Sequence, residues 1–70
     1  MKILVDAFWD DEAKVWVATA RDSIGLATEA ETIEELQQKL AAIVPDLLGD
    51  DHHGPFEIEL TARSHLTVAA

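Results

Sequence analysis

The chain has 70 residues, enough for one small domain and too few for a second, so we expect a single domain over residues 1–70. Apolar residues make up 49% of the chain, but 11 of them are Ala, so larger side chains can build only a thin core. Because the chain has no Cys, disulfides, thiolate zinc sites and a cysteine nucleophile are excluded. Because a core this small stabilises the fold only weakly, we expect a second copy of the chain to add stability.

Charge narrows the class of partner. Fourteen acidic and five basic residues give a net charge of −9, and the Lys and Arg residues are scattered, whereas a direct nucleic-acid binder needs a basic stripe. A basic protein is the natural partner, although acidity can also serve solubility alone. The opening segment, residues 1–8, is too short and too interrupted by Asp6 for a signal-peptide core. No apolar run is long enough to span a bilayer, so we expect a cytoplasmic protein with no membrane contact.

Two β-rich segments open the chain. Residues 2–9 and 15–20 are rich in β-branched and aromatic side chains and flank a polar segment, which predicts a β-hairpin. The loop has four or five residues, and this choice stays open. A slip of one residue would move Trp16 to the other face of the sheet.

The first strand is apolar on both faces. One face carries Ile3, Val5, Ala7 and Trp9, and the other carries Leu4 and Phe8 around Asp6. A strand of this kind is usually covered on both sides.

A short third strand over residues 26–29 precedes a helix. Thr32 and Glu35 form the sequence signature of a capping box, so the helix begins here. Its apolar stripe consists of Ile33, Leu36, Leu40, Ile43 and Val44. Pro45 disfavours helical geometry at the residue before it, which predicts that the helix stops at Val44 or restarts briefly over residues 45–48.

A fourth strand over residues 56–63 alternates apolar and polar side chains, as strands with one buried face do. The order is βββαβ, and the fold class is α+β: a mainly antiparallel sheet with one helix packed on one face. A helix of about twelve residues covers only one face of such a sheet. We therefore expect a homodimer that shares the second face or a sheet edge. The alternative is that loops half-cover Leu4 and Phe8.

The candidate binding residues lie in and beside the hairpin loop: Trp9, Asp10, Asp11 and Trp16. Trp is enriched at interface hot spots, and the acidic loop suits a basic partner. The alternatives are core filling for the two Trp residues and a solvated loop for the carboxylates. No cofactor and no metal site is predicted.

Catalytic and metal-binding interpretations are weaker. Asp6 with Glu29 or Glu35 could make a two-metal carboxylate set of the ribonuclease-H kind, but the acidic chain gives no help in gathering RNA. His52–His53 lacks a third ligand at a suitable spacing and fits a polar loop. Ser64–His65 lacks the Gly-rich turn and orienting carboxylate of a catalytic triad. We therefore expect no enzyme.

Several segments together resemble one known family. They are Phe8-Trp9-Asp10, Glu12-Ala13, residues 15–19, residues 25–36 and residues 45–48. In this order and spacing the sequence resembles the HicB-like antitoxin family, in particular a short-chain subgroup of unknown function, over residues 3–48. Ala30 stands where many relatives have Gly, and Leu36 where many have Ala, so the resemblance is to the subgroup more than to the other antitoxins.

The resemblance implies a βββαβ domain with a partial ribonuclease-H-like or double-stranded-RNA-binding-like layout. It also implies an antitoxin that binds a small basic mRNA-cleaving toxin of the HicA-like kind and blocks its catalytic His. Many relatives carry a C-terminal DNA-binding module, and we expect none after residue 63. The alternative function is a small regulatory or ligand-binding module that has no link to a toxin.

Overall fold

The computed structural model describes residues 2–21, 25–49 and 55–69. Within them, strands and helix follow the predicted order βββαβ: β1 Lys2–Asp10, β2 Val15–Ala20, β3 Ala27–Ala30, α1 Ile33–Leu48 and β4 Glu57–Arg63. The predicted α+β class is confirmed, and each strand boundary falls within one residue of its prediction.

The four strands form one mixed sheet in the order β3-β2-β1-β4. β1 pairs antiparallel with β2, and β2 pairs antiparallel with β3. After β3 the chain runs through α1 and returns on the far side of β1, where β4 pairs parallel with β1. A crossover through a helix is the usual way to make such a parallel pair. The apolar first strand thus lies inside the sheet, and β4 lies at one edge.

The hairpin loop between β1 and β2 has four residues, Asp11 to Lys14, which settles the open register. Asp10 pairs with Val15, and Trp9 pairs with Trp16, so both indole rings lie on one face. Lys14 adopts a left-handed backbone conformation with φ of 58°. Its amide N–H donates to the Asp10 carbonyl over 2.8 Å, which closes the loop.

The core lies between the sheet and α1, and its buried side chains are all apolar. They are Ile3, Val5, Ala7, Ala18, Leu26, Ala30, Leu36, Leu40 and Val44. The helix contributes the last three, which are spaced by four residues and so share one face. α1 packs over β3 and β2. On the helix side of β4, Ile58 and Leu60 stay only half-buried at the margin of the core, and Ala62 is exposed.

The helix does not stop at Pro45. It runs without a break over 16 residues, so the predicted end at Val44 and the length of about twelve residues are wrong. Val44 is fully buried, and its packing offsets the local preference for an extended conformation before Pro. Pro45 cannot donate to the Ala41 carbonyl, but Ala41 is exposed, so water can take that place. Gly49 ends the helix with φ of 75°, and its N–H donates to the Pro45 carbonyl.

The length and composition of the helix also bear on membrane insertion. Across residues 2–21, 25–49 and 55–69, no helix combines the length and the hydrophobicity that crossing a bilayer requires.

Candidate protein-interaction site

Trp9 and Trp16 sit side by side where the hairpin ends, on the helix side of the sheet. Their ring centroids are 5.5 Å apart and their planes meet at 64°, an edge-to-face arrangement. Both side chains are half-buried. Trp16 packs against the core cluster. The pair therefore closes one end of the core and still presents ring surface to solvent, which a binding role requires.

Asp10 shapes the loop beside this pair. Its carboxylate accepts hydrogen bonds from the backbone N–H groups of Glu12 and Ala13, at 3.0 and 3.3 Å. Short acidic side chains often hold turns in this way. Both bonds end on Oδ1, so Asp10 holds the loop through one carboxylate oxygen, and its role as a partner contact stays a prediction.

Asp11 holds its negative charge at the tip of the hairpin. Its carboxylate accepts from the Lys14 ammonium at 2.8 Å and from the Trp9 indole N–H at 3.4 Å. The Lys14 bond, and then the indole bond, lower the pKa of Asp11 below its ordinary value. The indole contact also brings the N–H edge of the Trp9 ring beside Asp11, so the aromatic pair lies next to the acidic tip.

Trp9 separates two open grooves. One, of about 530 Å³, is lined by Trp9, Trp16, Glu31, Thr32, Ile33, Glu34 and Ser64. The other, of about 550 Å³, is lined by Phe8, Trp9, Ala62, Arg63, Ser64 and His65. The first groove thus has two carboxylates beside its two indole rings, and we call it the acidic groove.

Sequence patterns did not indicate Glu31 and Glu34 as site residues. Glu31 lies near the Trp pair because Ala30, the residue before it, pairs with Trp16 across the sheet. This proximity depends on the register of β3 on β2, which the sequence of β3 does not specify. The predicted residues Trp9, Trp16 and Asp11 are therefore joined by two further acidic side chains.

The sheet face opposite α1 is a second exposed surface, and we call it the open face. Its apolar side chains are Leu4, Phe8, Val15 and Val17. Phe8 is 52% exposed, whereas the other three are half-buried. In the described part of the chain no helix or strand covers this face. The expectation of apolar side chains on both faces of β1 is therefore confirmed, but the Trp pair lies on the other face.

Ion pairs cross the open face and divide its apolar surface. The Arg21 guanidinium donates two hydrogen bonds to the Asp6 carboxylate, both at 2.8 Å. This bidentate bond lowers the pKa of Asp6 and raises the pKa of Arg21. The Lys2 ammonium lies 3.2 Å from a Glu59 carboxylate oxygen. The face is thus mixed, neither wholly apolar nor wholly polar.

The carboxylates of the alternative two-metal site, Asp6 with Glu29 or Glu35, do not form one cluster. Asp6 lies on the open face, whereas Glu35 belongs to α1 on the opposite side of the sheet. Glu29 shares the open face with Asp6, but Arg21 occupies both oxygens of Asp6. Among the described residues, no three His, Asp or Glu side chains are grouped so that they could hold a metal ion. His52–His53 lies outside those residues.

The second catalytic interpretation concerned Ser64 and His65. Both are exposed, and they follow the last strand. The His65 imidazole Nε2 lies 3.4 Å from the Thr67 hydroxyl. The two residues therefore belong to an exposed segment and contribute to the wall of a groove.

Comparison with known proteins identifies the family. Residues 2–69 match a family described as a domain of unknown function (DUF1902). The chain belongs to this family. No curated protein matches the sequence of this DUF1902 domain at a significant level.

One solved structure is similar over nearly the whole DUF1902 domain. It is the crystal structure of a hypothetical protein from the extremely thermophilic bacterium Thermus thermophilus. The two sequences are 48% identical, the TM-score is 0.79, and the match covers 97% of this chain and 100% of the other. The fold described above is therefore shared with an experimentally determined relative.

Proposed function

We propose that this DUF1902 domain is a HicB-like, antitoxin-type protein-interaction domain in the cytoplasm. It binds a small basic mRNA-cleaving toxin of the HicA-like kind through the end of the hairpin. The observation that carries the proposal is the pair of half-buried indole rings with Asp11, Glu31 and Glu34 around it. The resemblance to HicB-like antitoxins over residues 3–48 supports the class of partner.

The chemistry of this site suits cationic side chains. A Lys or Arg of the partner can place its charge over an indole face while it pairs with a neighbouring carboxylate. Lys14 is the cation at the hairpin tip, and its ammonium is already paired with Asp11. A basic partner therefore brings positive charge to a place where the domain has a surplus of negative charge.

Binding of this kind would neutralise a ribonuclease by competition. An mRNA-cleaving protein holds RNA with Lys and Arg that contact phosphates. An acidic domain that pairs with those same groups excludes the RNA. The net charge of −9 also steers a basic protein toward the domain and speeds their encounter.

The first test is genetic and biochemical. We expect a short reading frame for a basic protein beside the gene for this chain. The purified basic protein should cleave mRNA, and a stoichiometric amount of this chain should stop the cleavage. If the neighbouring frames encode no basic protein, or if cleavage persists with the chain in excess, the toxin-linked function is wrong and a regulatory or ligand-binding role is favoured.

The second test locates the binding site. Asp11→Asn and Glu31→Gln should each weaken binding several-fold, measured by calorimetry, because each removes a carboxylate beside the indole rings. Asp46→Asn is the matched control: it removes one negative charge from an exposed position near the end of α1, distant in the fold from the hairpin. Equal weakening by all three variants would point to net charge alone, with no specific site.

The Trp residues need a test that separates core filling from binding. Trp9→Ala and Trp16→Ala should each lower the free energy of unfolding by about 2 kcal/mol, less than for a fully buried Trp. Trp9→Phe keeps an aromatic ring but loses the indole N–H bond to Asp11. We expect it to remain folded by circular dichroism and to bind the basic protein more weakly. Unchanged binding by folded Trp9→Phe would show that the indole N–H is not needed, and unchanged binding by a folded Trp9→Ala would leave Trp9 without a role in binding.

A further inference from the structure

The last described residues form an exposed arm. β4 ends at Arg63, which pairs with Phe8, and β1 ends two residues later at Asp10. We call residues 64–69 the C-terminal arm; in this register Ser64 and His65 are level with Trp9 and Asp10, and residues 66–69 run past the end of β1. Within the described part of this chain the arm has no neighbouring strand. Leu66 and Val68 of the arm are 83% and 76% exposed. Their spacing in the sequence continues the two-residue period of Ile58 and Leu60, so an extended arm would bring both side chains to the side that faces the helix.

The edge strand β4 and the groove beside it form an exposed apolar surface in the same chain. β4 is a seven-residue edge strand whose pairing with β1 has no bulge, so one row of its backbone groups is free to pair. Because α1 packs over β3 and β2, a groove of about 310 Å³ remains between the helix and β4, lined by Gln37, Leu40, Ile58 and Leu60. Ile58 and Leu60 are only half-buried there.

We propose that the C-terminal arm of one chain pairs antiparallel with β4 of a second copy of this chain, and that the two copies form a symmetric dimer with Ala62 opposite Ala62. Each copy then gives one arm and receives one arm, as a two-fold axis requires. The two sheets join through their β4 edges into one continuous sheet.

The sequence of the arm is complementary to β4 in this register. On the helix side, Leu66 lies opposite Ile58 of the second copy, and Val68 lies opposite Phe56 of the second copy. On the other side, the His65 imidazole lies opposite the Glu59 carboxylate of the second copy. Opposed side chains in antiparallel strands lie close enough to interact directly, so apolar groups meet apolar groups and an imidazole meets a carboxylate.

Neighbouring registers fit less well. Centring the two-fold axis on Arg63 would place the two guanidinium groups opposite each other, and like charges in such positions are destabilising. Ser64 lies opposite an apolar β4 residue in the Ala62 register (Leu60) and in the Thr61 register (Ile58), so this position does not separate the two. Centring the axis on Thr61 would bring Val68 opposite position 54, which is Gly, so Val68 would lose its apolar partner. The Ala62 register is therefore the one that gives both Leu66 and Val68 an apolar partner and opposes no like charges.

The first experiment measures mass by light scattering, with sedimentation as a check, at micromolar concentration. We expect the wild-type chain to have the mass of two copies. Leu66→Asp and Val68→Asp should each give the mass of one copy, with the circular dichroism of the folded wild type, because these side chains make little contact within their own chain. Leu47→Asp is the matched control, since Leu47 is an exposed apolar residue on α1, and it should remain dimeric.

A second experiment tests the register. Because the chain has no Cys, single Cys variants report unambiguous contacts. Ala62→Cys should form a disulfide-linked dimer under mild oxidation much faster than Thr61→Cys or Ser64→Cys, whose positions do not meet their own copies. A wild-type mass of one copy, a dimer that survives Leu66→Asp, or equal cross-linking by the three Cys variants would overturn the proposal. Neither experiment involves a toxin, so the outcome is independent of the proposed function.

Discussion

Asp6 lies on the interior strand β1 and accepts two hydrogen bonds from Arg21, and this bond lowers its pKa. A carboxylate whose pKa is lower in the folded chain than in the unfolded chain stabilises the fold above its unfolded pKa, about 4. The stabilisation disappears as the pH falls through the lower folded pKa. The contribution is small because the pair is partly exposed, and exposed ion pairs contribute little.

The first prediction follows from the direction of the Asp6 pKa shift. Asp6→Asn should be slightly less stable than the wild type at pH 7, by urea unfolding, and the difference should vanish once the pH is well below about 4. Asp46→Asn removes the same charge and breaks no ion pair among the described residues, so it controls for the relief of net negative charge. A difference that stays constant into acid would show that packing of the Asp6 side chain, and not its charge, stabilises the fold.

At the scale of the elements, the N-terminus of α1 depends on one side chain. The Thr32 hydroxyl accepts the Glu35 backbone N–H at 3.1 Å, and Thr32 itself has extended backbone geometry, as N-cap residues do. The second half of the predicted capping box, a bond from the Thr32 backbone N–H to the Glu35 carboxylate, is not formed among the described residues, so only half of the box is confirmed. The bond to the Thr32 hydroxyl also fixes where the helix begins relative to the acidic groove, because Thr32 and Ile33 line that groove.

The second prediction concerns this cap. Thr32→Ala should lower the free energy of unfolding by about 1 kcal/mol, because a helix N–H loses its partner. Thr32→Ser keeps the hydroxyl and should recover most of the loss, which makes it the matched control. Equal losses in both variants would mean that the Thr32 methyl group, and not its hydrogen bond, is the stabilising feature.

The elements also show how far the sequence determines the fold. Alternation predicted β4 and the capping box predicted the start of α1, because both patterns are local. The apolar stripe predicted a buried Val44, but the continuation of the helix through Pro45 was not predictable, since the balance between Val44 packing and the local effect of Pro45 is a property of the folded core. The pairing of β4 with β1 was not predictable either, because alternation identifies a strand but does not show which strand it pairs with.

The candidate site illustrates the same distinction. Trp9 and Trp16 could be singled out by residue type, but their contact at 5.5 Å required the hairpin register, which one residue of loop length decides. Glu31 entered the site only through the pairing of β3 with β2. Sequence reasoning therefore found the aromatic part of the site and missed the carboxylates that long-range pairing brings to it.

The whole molecule has two surfaces of different character and a large excess of one charge. α1 covers one face of the sheet, the open face combines apolar side chains with ion pairs, and the net charge is −9. The radius of gyration is 13.7 Å. Along its two shorter axes the molecule measures 19 and 17 Å. Carboxylates on opposite sides in these directions are therefore separated by less than the screening length of about 30 Å in 0.01 M salt, but by more than the length of about 10 Å in 0.1 M salt.

The third prediction follows from the comparison of the carboxylate separations with the screening length. Folding compresses like charges that are farther apart in the unfolded chain, so their repulsion destabilises the folded state most at low ionic strength. Raising NaCl from about 0.01 to 0.1 M should raise the Tm by a few degrees. KCl should act equally, because screening depends on ionic strength and not on the cation. Leu66→Asp, the variant expected to be a single copy, should show the same rise, which separates repulsion within a chain from repulsion between two copies. A Tm that does not respond to salt would mean that the ion pairs across the open face already compensate the surplus of carboxylates.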